Sequence, residues 1–408
     1  MEQINEELIT RPAVDPEIWA LDKEVVFLNH GSFGSCPKAI LEHQSRLRLK
    51  MEEEPVRFFV RELEALLDEA RVKLAAFLNG EPDCLVFVPN ATYGVNSVLN
   101  SFRFNDGDEI LITNHEYNAC MNVAHVVAQK YGAKVVSAIV PFPIKDENEI
   151  VESVFSHLTE RTRLIMVDHV TSPTALVFPV ERIVQKAKQY GVPVLVDGAH
   201  TAGMLPLDLK RLDADFYTGN CHKWLCSPKG SAFLYVKEKW IDVIRPIAIS
   251  HGANSPRKDR SRYLIEFGWT GTFDPTAYLS VPKSIDYLGS LVNGGWDMIM
   301  RRNRALALEA RKLICKYLEI EPPTSDSLIG SMASFRLWDS SEKEPPKTAL
   351  YADVLQNILF AEYKIEVPVV PWEYFPRRTL RISAQLYNYL EQYEKLAKAL
   401  KELRDKKL

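Results

Sequence analysis

The sequence predicts an α/β fold: a large domain with a mostly parallel seven-stranded sheet between helices, plus a smaller α+β domain. Three observations lead there. Residues 84 to 236 alternate strand-like and helix-like pieces, the order that builds a parallel sheet with helices on both faces. The pattern changes after Trp240. A chain of 408 residues also exceeds what one hydrophobic core usually organises. The large domain is expected over 21–285, and the small one over 1–20 and 286–408.

Short apolar runs set the strands. They are Cys84–Pro89, Glu109–Thr113, Ala133–Val140, Arg163–Val170, Val192–Asp197, Ala214–Thr218 and Ser231–Val236. Helices are expected from Thr92 and over Asn118–Tyr131. Another carries Val180, Ile183, Val184 and Ala187 at helical spacing, with Gly191 as its stop. Residues 250–274 mix Gly252, Asn254, Pro256, Gly268 and Gly271 with Arg and Lys, which reads as a long irregular excursion of the functional kind. Beyond it the sequence predicts helices over Pro282–Leu291, Trp296–Tyr317, Ala349–Phe360 and Tyr389–Leu403. Strands are expected over Met332–Trp338 and Thr379–Ser383, with a solvated loop at Ser340–Lys347.

Composition narrows the function. At 46% hydrophobic and 25% charged residues the chain is an ordinary globular protein. A net charge of −4 offers no basic field for nucleic acid and argues against binding an anionic membrane surface. No apolar run approaches the roughly 20 residues of a membrane span. The acidic start Met1-Glu2-Gln3-Ile4-Asn5-Glu6-Glu7 lacks the layout of a signal peptide. Six Cys without a paired framework fit reduced thiols, so a cytoplasmic location is expected. Cys221 and Cys226 flank His222 but form a single knuckle, and no metal site is expected.

Two segments carry the chemistry. Val194-Leu195-Val196-Asp197 reads as a buried strand ending in a carboxylate, at the sheet edge where ligands bind. Gly219-Asn220-Cys221-His222-Lys223-Trp224 puts a lone Lys just after another strand. An acid at one strand end and an amine at another is the layout that pyridoxal phosphate needs: the Lys forms the Schiff base and the Asp keeps the pyridine nitrogen protonated. An Asp at a strand end is common and a Lys beside an aromatic is often a surface residue, so the shared context decides. A phosphate cradle then belongs at Pro89-Asn90-Ala91-Thr92-Tyr93-Gly94, between a strand and a helix start, although Asn and Thr there also suit an ordinary cap. Tyr117 follows the next strand and can stack on a ring or simply pack on the core. His169 and Ser172 follow another strand, in a turn that Ser-Pro alone would set. Five of nine His (30, 115, 169, 200 and 222) fall at expected strand ends, which favours a polar cleft. No dinucleotide fingerprint, Walker loop or G-x-S-x-G elbow competes.

With these motifs the chain resembles the class V branch of the fold-type I pyridoxal phosphate enzymes over residues 25 to 385. The opening Asn29-His30-Gly31-Ser32-Phe33-Gly34 and the block Asn220–Cys226 resemble its isopenicillin N epimerase-like subgroup. The resemblance implies Lys223 as the Schiff-base residue, Asp197 on the pyridine nitrogen and Tyr117 as the stacking group. It implies His200 and Ser172 near the ring hydroxyl, and Ala91, Thr92, Asn220 and His222 around the phosphate. Thr272, after Gly271, would reach the phosphate of a partner subunit, making the enzyme a homodimer with shared sites. Asn29, His30 and Arg381 would meet the substrate, Arg381 taking its carboxylate bidentately. The PLP-dependent transferase-like fold is implied as well.

Cysteine desulfurases carry a nucleophilic Cys ahead of that Arg, whereas this chain has no Cys after Cys315. Persulfide transfer by that route is therefore not expected. The expected substrate is a small amino acid or amino-acid-derived molecule that loses its Cα proton. Epimerisation is the leading outcome. A C–S β-lyase acting on cysteine conjugates is the alternative, with transamination or a non-catalytic dimeric relative behind them.

Overall fold

The computed structural model describes residues 7–345, 347 and 353–406. Its strands in chain order are β1 (Val26–Phe27), β2 (Leu85–Val88), β3 (Glu109–Thr113), β4 (Lys134–Ala138), β5 (Thr162–Asp168), β6 (Val194–Asp197), β7 (Phe216–Asn220), β8 (Ala232–Val236), β9 (Met332–Arg336), β10 (Ile365–Glu366), β11 (Val369–Pro371) and β12 (Arg378–Ser383). The seven expected from the apolar runs form one sheet in the order β2-β8-β7-β6-β5-β3-β4. Only β8 runs against its neighbours, pairing antiparallel with β2 and β7. The remaining pairs are parallel.

Both faces of this sheet are covered, which is why its central strands read as continuous apolar runs. Ile165, Val167, Val194 and Val196 enter one core, and Leu164, Met166 and Leu195 enter the other, following the alternation of side chains along a strand. The helix Asn118–Tyr131 ends at Gly132, whose φ of +69° is the left-handed stop that glycine tolerates. Strand Ala133–Val140 shortens to β4, an edge strand with Lys134 and Ser137 exposed.

Among the described residues, three helices of ten residues or more lie outside the sequence reading: Lys38–Glu53, Leu63–Phe77 and Glu147–Ser156. The first buries only Ile40 and Gln44, so it shows little apolar stripe. The third does carry a signal, the Asp146/Glu149 capping box. The excursion over 250–274 is also less irregular than expected. Ser261 caps a helix at Arg262–Gly268 that buries Tyr263, Leu264 and Phe267.

A second, three-stranded antiparallel sheet runs β11-β12-β9. Helices Gly295–Leu318 and Leu390–Asp405 pack around it through Leu306, Ala310, Ile314, Leu396 and Leu400. The helix expected over Ala349–Phe360 is seen as Val354–Tyr363, and 348–352 lie outside the described residues. β11 is an addition to the sequence reading; it pairs with β12 and makes the hairpin that presents Arg381. Buried Arg302 ties the chain's two ends together, donating to the carbonyls of Leu8, Arg11, Gln385 and Asn388. Among the described residues, no helix is long and apolar enough to cross a membrane.

Candidate active site

The carboxyl ends of β2, β3, β5, β6 and β7 point the same way, and the residues singled out from the sequence follow them. The other end of the sheet holds a groove of about 1350 Å³ lined by Phe102, Arg103, Arg163, Pro193, Trp240 and Arg245. It lies at the amino ends of β3, β5 and β6, away from this constellation.

Lys223 sits in the tight turn after β7. The amides of Cys221 and His222 both donate to the Ser231 carbonyl, at 3.0 and 3.1 Å, and Cys226 N donates to Lys223 O at 3.1 Å. His30 Nε2 meets the same Lys223 carbonyl at 2.9 Å, while its Nδ1 meets Tyr387 Oη at 2.8 Å. Gly34 completes the support: a Cβ there would lie 2.1 Å from the His222 carbonyl oxygen, and its φ is +69°. The Lys223 amine reaches His200 Nε2 at 3.2 Å. Burial, with the Arg381 charge second, lowers the Lys223 pKa to about 7. Burial also holds His200 well below the usual histidine range, so its imidazole is neutral.

Acidic groups gather beside the amine. Asp197, at the end of β6, accepts from Ala199 N at 2.9 Å and from the Cys120 thiol at 3.3 Å. Asp168 stands directly opposite it in the β5–β6 register. Glu116, between β3 and the helix at Asn118, brings a carboxyl oxygen within 4.8 Å of Asp197 and Cys120. Two charges at that separation repel by roughly 3 kcal/mol at an effective dielectric of about 20. Burial raises the pKa of all three acids, Glu116 and Asp168 well above the carboxylate range, and their mutual charge adds to the effect in those two. Neither Glu116 nor Asp168 is singled out from the sequence. Asp168 carries the signal that marks Asp197, an acid closing an apolar strand, whereas Glu116 lies three residues beyond the end of β3.

The helix Ala91–Ser101 begins after β2 as expected, capped by Asn90, which accepts from Tyr93 N at 2.8 Å. Ala91 N donates to Asn220 Oδ1 at 2.9 Å, so this amide already has a protein acceptor. Among the described residues, the Thr92 amide is the donor of the first turn without one. The helix fits closely against β7: a Cβ on Gly94 would stand 2.2 Å from Thr218 Oγ1. His222 Nδ1 donates to Ser231 O at 3.0 Å, leaving Nε2 to face outward from that bond.

Arg381 crosses from β12 to the large sheet. It donates to the Ser172 carbonyl at 2.6 Å, to Ser172 Oγ at 3.2 Å and to Ser32 Oγ at 2.9 Å. Ser32 in turn donates to Asn29 Oδ1 at 2.5 Å. Tyr117, at the start of the helix Asn118–Tyr131, is partly exposed. Trp372, in the β11–β12 loop, packs on His115 with ring centroids 4.5 Å apart, and Glu373 accepts from Asn114 at 3.2 Å.

Some expected positions differ. His30 is fully buried with both ring nitrogens engaged by protein, so it braces the Lys223 turn instead of facing a substrate. His115 is held by Thr174 and Val140 and belongs to the interior, while half-buried His169 meets Tyr217 Oη through Nδ1. Thr272 is exposed and shares no hydrogen bond with the other site residues within this chain.

The residues fit pyridoxal phosphate: a desolvated amine, a buried carboxylate across from it, an open helix-start amide, and His200 Nδ1 buried without a partner. Comparison with known proteins agrees. Residues 39–345 match the family model described as aminotransferase class-V. Isopenicillin N epimerase from Amycolatopsis lactamdurans is 35% identical over 398 residues, covering 94% of this chain and 96% of that one. Putative L-cysteine desulfhydrase 1 from Oryza sativa subsp. japonica is 31% identical, covering 93% and 83%. The fold matches that of the cysteine desulfurase CsdA from Escherichia coli with a TM-score of 0.74, at 22% identity and covering 95% and 96% of the two chains. By sequence and fold together, the chain belongs to the class-V aminotransferases, a family that depends on pyridoxal phosphate.

Proposed function

We propose that this protein removes the Cα proton of an α-amino acid or amino-acid-derived substrate and returns a proton to the opposite face, as an isopenicillin N epimerase-like enzyme. One observation carries the reading: the Lys223 amine, its pKa lowered by desolvation to about 7, sits 3.2 Å from neutral His200. A lysine in that state is a base at neutral pH. Bound pyridoxal phosphate supplies the electron sink that makes the Cα proton acidic.

The chain's own residues divide the work. Lys223 would hold the cofactor and, as a free amine, would accept the substrate's Cα proton. Asp197 keeps the pyridine nitrogen protonated through the attraction of unlike charges. The Thr92 amide and hydroxyl, with Ala91, Asn220 and His222 behind them, form the phosphate end. His200 and Ser172 would serve the ring hydroxyl, and Tyr117 would stack on the ring. Arg381 takes the substrate carboxylate, and Ser32, Asn29 and the buried His30 hold that side of the site in place. Thr272, exposed in its own subunit, serves the partner's phosphate end in a homodimer. The expected cytoplasmic location and the division into domains at 21–285 and its remainder belong to the same reading.

A second outcome has its own support in the L-cysteine desulfhydrase relatives. Loss of a β-substituent from the same carbanion would give a C–S β-lyase. Incubation of purified enzyme with chiral amino acids and cysteine conjugates in heavy water separates the two. Deuterium at Cα with inversion supports epimerisation, and pyruvate with ammonia supports the lyase. No Cα exchange with any amino acid would contradict both.

A further inference from the structure

Glu116 is an ionisable side chain that the roles above leave unused. It is 3% exposed, and neither carboxyl oxygen has a hydrogen-bond partner. The Tyr117 amide lies near enough to favour its charge, yet without hydrogen-bond geometry. Its neighbour Asp197 is treated differently by the fold, receiving the Ala199 amide and the Cys120 thiol. Asp168 Oδ2, like Glu116, is buried with no partner. Three carboxyl groups thus meet in one dry region, and the fold supplies donors to only one of them.

A buried acid without donors or a cation keeps its proton, whereas an acid with two donors is the one that ionises. We infer that Glu116 is a carboxylic acid in the folded protein and a positioning residue, a neutral wall that confines the site's negative charge to Asp197. A single pyridinium would then face a single carboxylate. Ionised Glu116 and Asp168 would leave it facing three, with two charges unbalanced in a desolvated site. The inference rests on the assignment of Asp197 to the pyridine nitrogen.

Infrared spectra of the full, cofactor-bound chain with carbon-13 at its glutamate carboxyl carbons test the proton directly. At neutral pH we expect a carboxylic-acid band that moves with the label and is missing from Glu116→Gln. Absence of that band, or its survival in Glu116→Gln, would overturn the inference whether or not Asp197 meets the ring. If Glu116→Gln does not fold, Glu116→Asp removes the same labelled carbon and serves for assignment. Cofactor dissociation measured by dialysis tests the consequence. Glu116→Gln, a neutral donor of the same size, should stay within about threefold of the parent. Glu116→Ala should release the cofactor at least about tenfold more readily. Glutamine failing as badly as alanine would mean that the charge is required, contradicting the proposal. One-to-one zinc binding that depends on Glu116 would overturn it too, since this acid would then be a metal ligand.

Discussion

The Lys223 amine and His200 Nε2 stand 3.2 Å apart, so the base of the site is partnered by an imidazole and not by a carboxylate. A carboxylate would stabilise the ammonium and keep the lysine charged. A neutral imidazole can accept from the ammonium or, in its other tautomer, donate to the free amine. Lys223 can therefore change protonation state without losing its partner. The cost of burying the charge then sets the balance, which is why the amine's pKa falls to about 7.

That value predicts a pH dependence. Only the unprotonated amine attacks an aldehyde, so covalent uptake of pyridoxal phosphate by the cofactor-free chain should speed up with rising pH and level off above about 7. Stopped-flow absorbance would show it. The same depression makes this group's share of stability increase with pH between about 7 and the unfolded lysine's value of about 10.4, because the unfolded chain binds the extra proton there. Uptake that still accelerates towards the ordinary lysine pKa would mean that the amine is solvated.

Asp197→Asn should retain the fold, since asparagine can still accept from Ala199 and Cys120. Without the charge, the pyridine nitrogen loses its reason to stay protonated. Cα-proton exchange should slow by at least about 100-fold, close to 2.7 kcal/mol of barrier. Exchange at near-parental rates would remove Asp197 from the role assigned to it.

Arg381→Lys keeps a positive charge but not the fork that a carboxylate matches. KM for an amino acid should rise by about tenfold or more, with a smaller change in kcat. An α-amino amide, which lacks the carboxylate, should show no such difference between the parent and the variant. Equal losses for acid and amide would point to a collapse of the Ser172 and Ser32 contacts instead.

Much of this arrangement is legible in the sequence. β5, β6 and β8 are buried on both faces, so their apolar runs stand out; Asp197 closes β6, and Lys223 lies in the turn between β7 and β8. Glu116 is not legible in the same way, and the strand-end position of Asp168 does not show what it meets. Their importance comes from the Asp168–Asp197 register and from side chains that meet across strands far apart in sequence. The place of His30 is hidden for a related reason: the opening Asn29–Gly34 shows only its family likeness, and tertiary packing turns both His30 nitrogens to Lys223 and Tyr387. Trp372 has no periodic signal at all, because it stands in the hairpin loop after the three-residue strand β11.

Tyr117→Phe separates the two leading reactions. It preserves the ring that would cover the cofactor and removes only the exchangeable proton. Epimerisation needs a donor on the face away from Lys223 and should fall by at least about tenfold, or 1.4 kcal/mol. β-Elimination needs no such acid and should change far less. Epimerisation that is present and survives the substitution would place the second proton on another group.

The central claim is that Lys223 carries the cofactor, and borohydride reduction of the enzyme followed by peptide mass mapping tests it most directly. The account predicts the reduced cofactor's mass on the peptide containing Lys223, and its loss in Lys223→Ala even where the cofactor still binds non-covalently. The same mass on a peptide containing a different lysine, or on none in a cofactor-loaded protein, would contradict it.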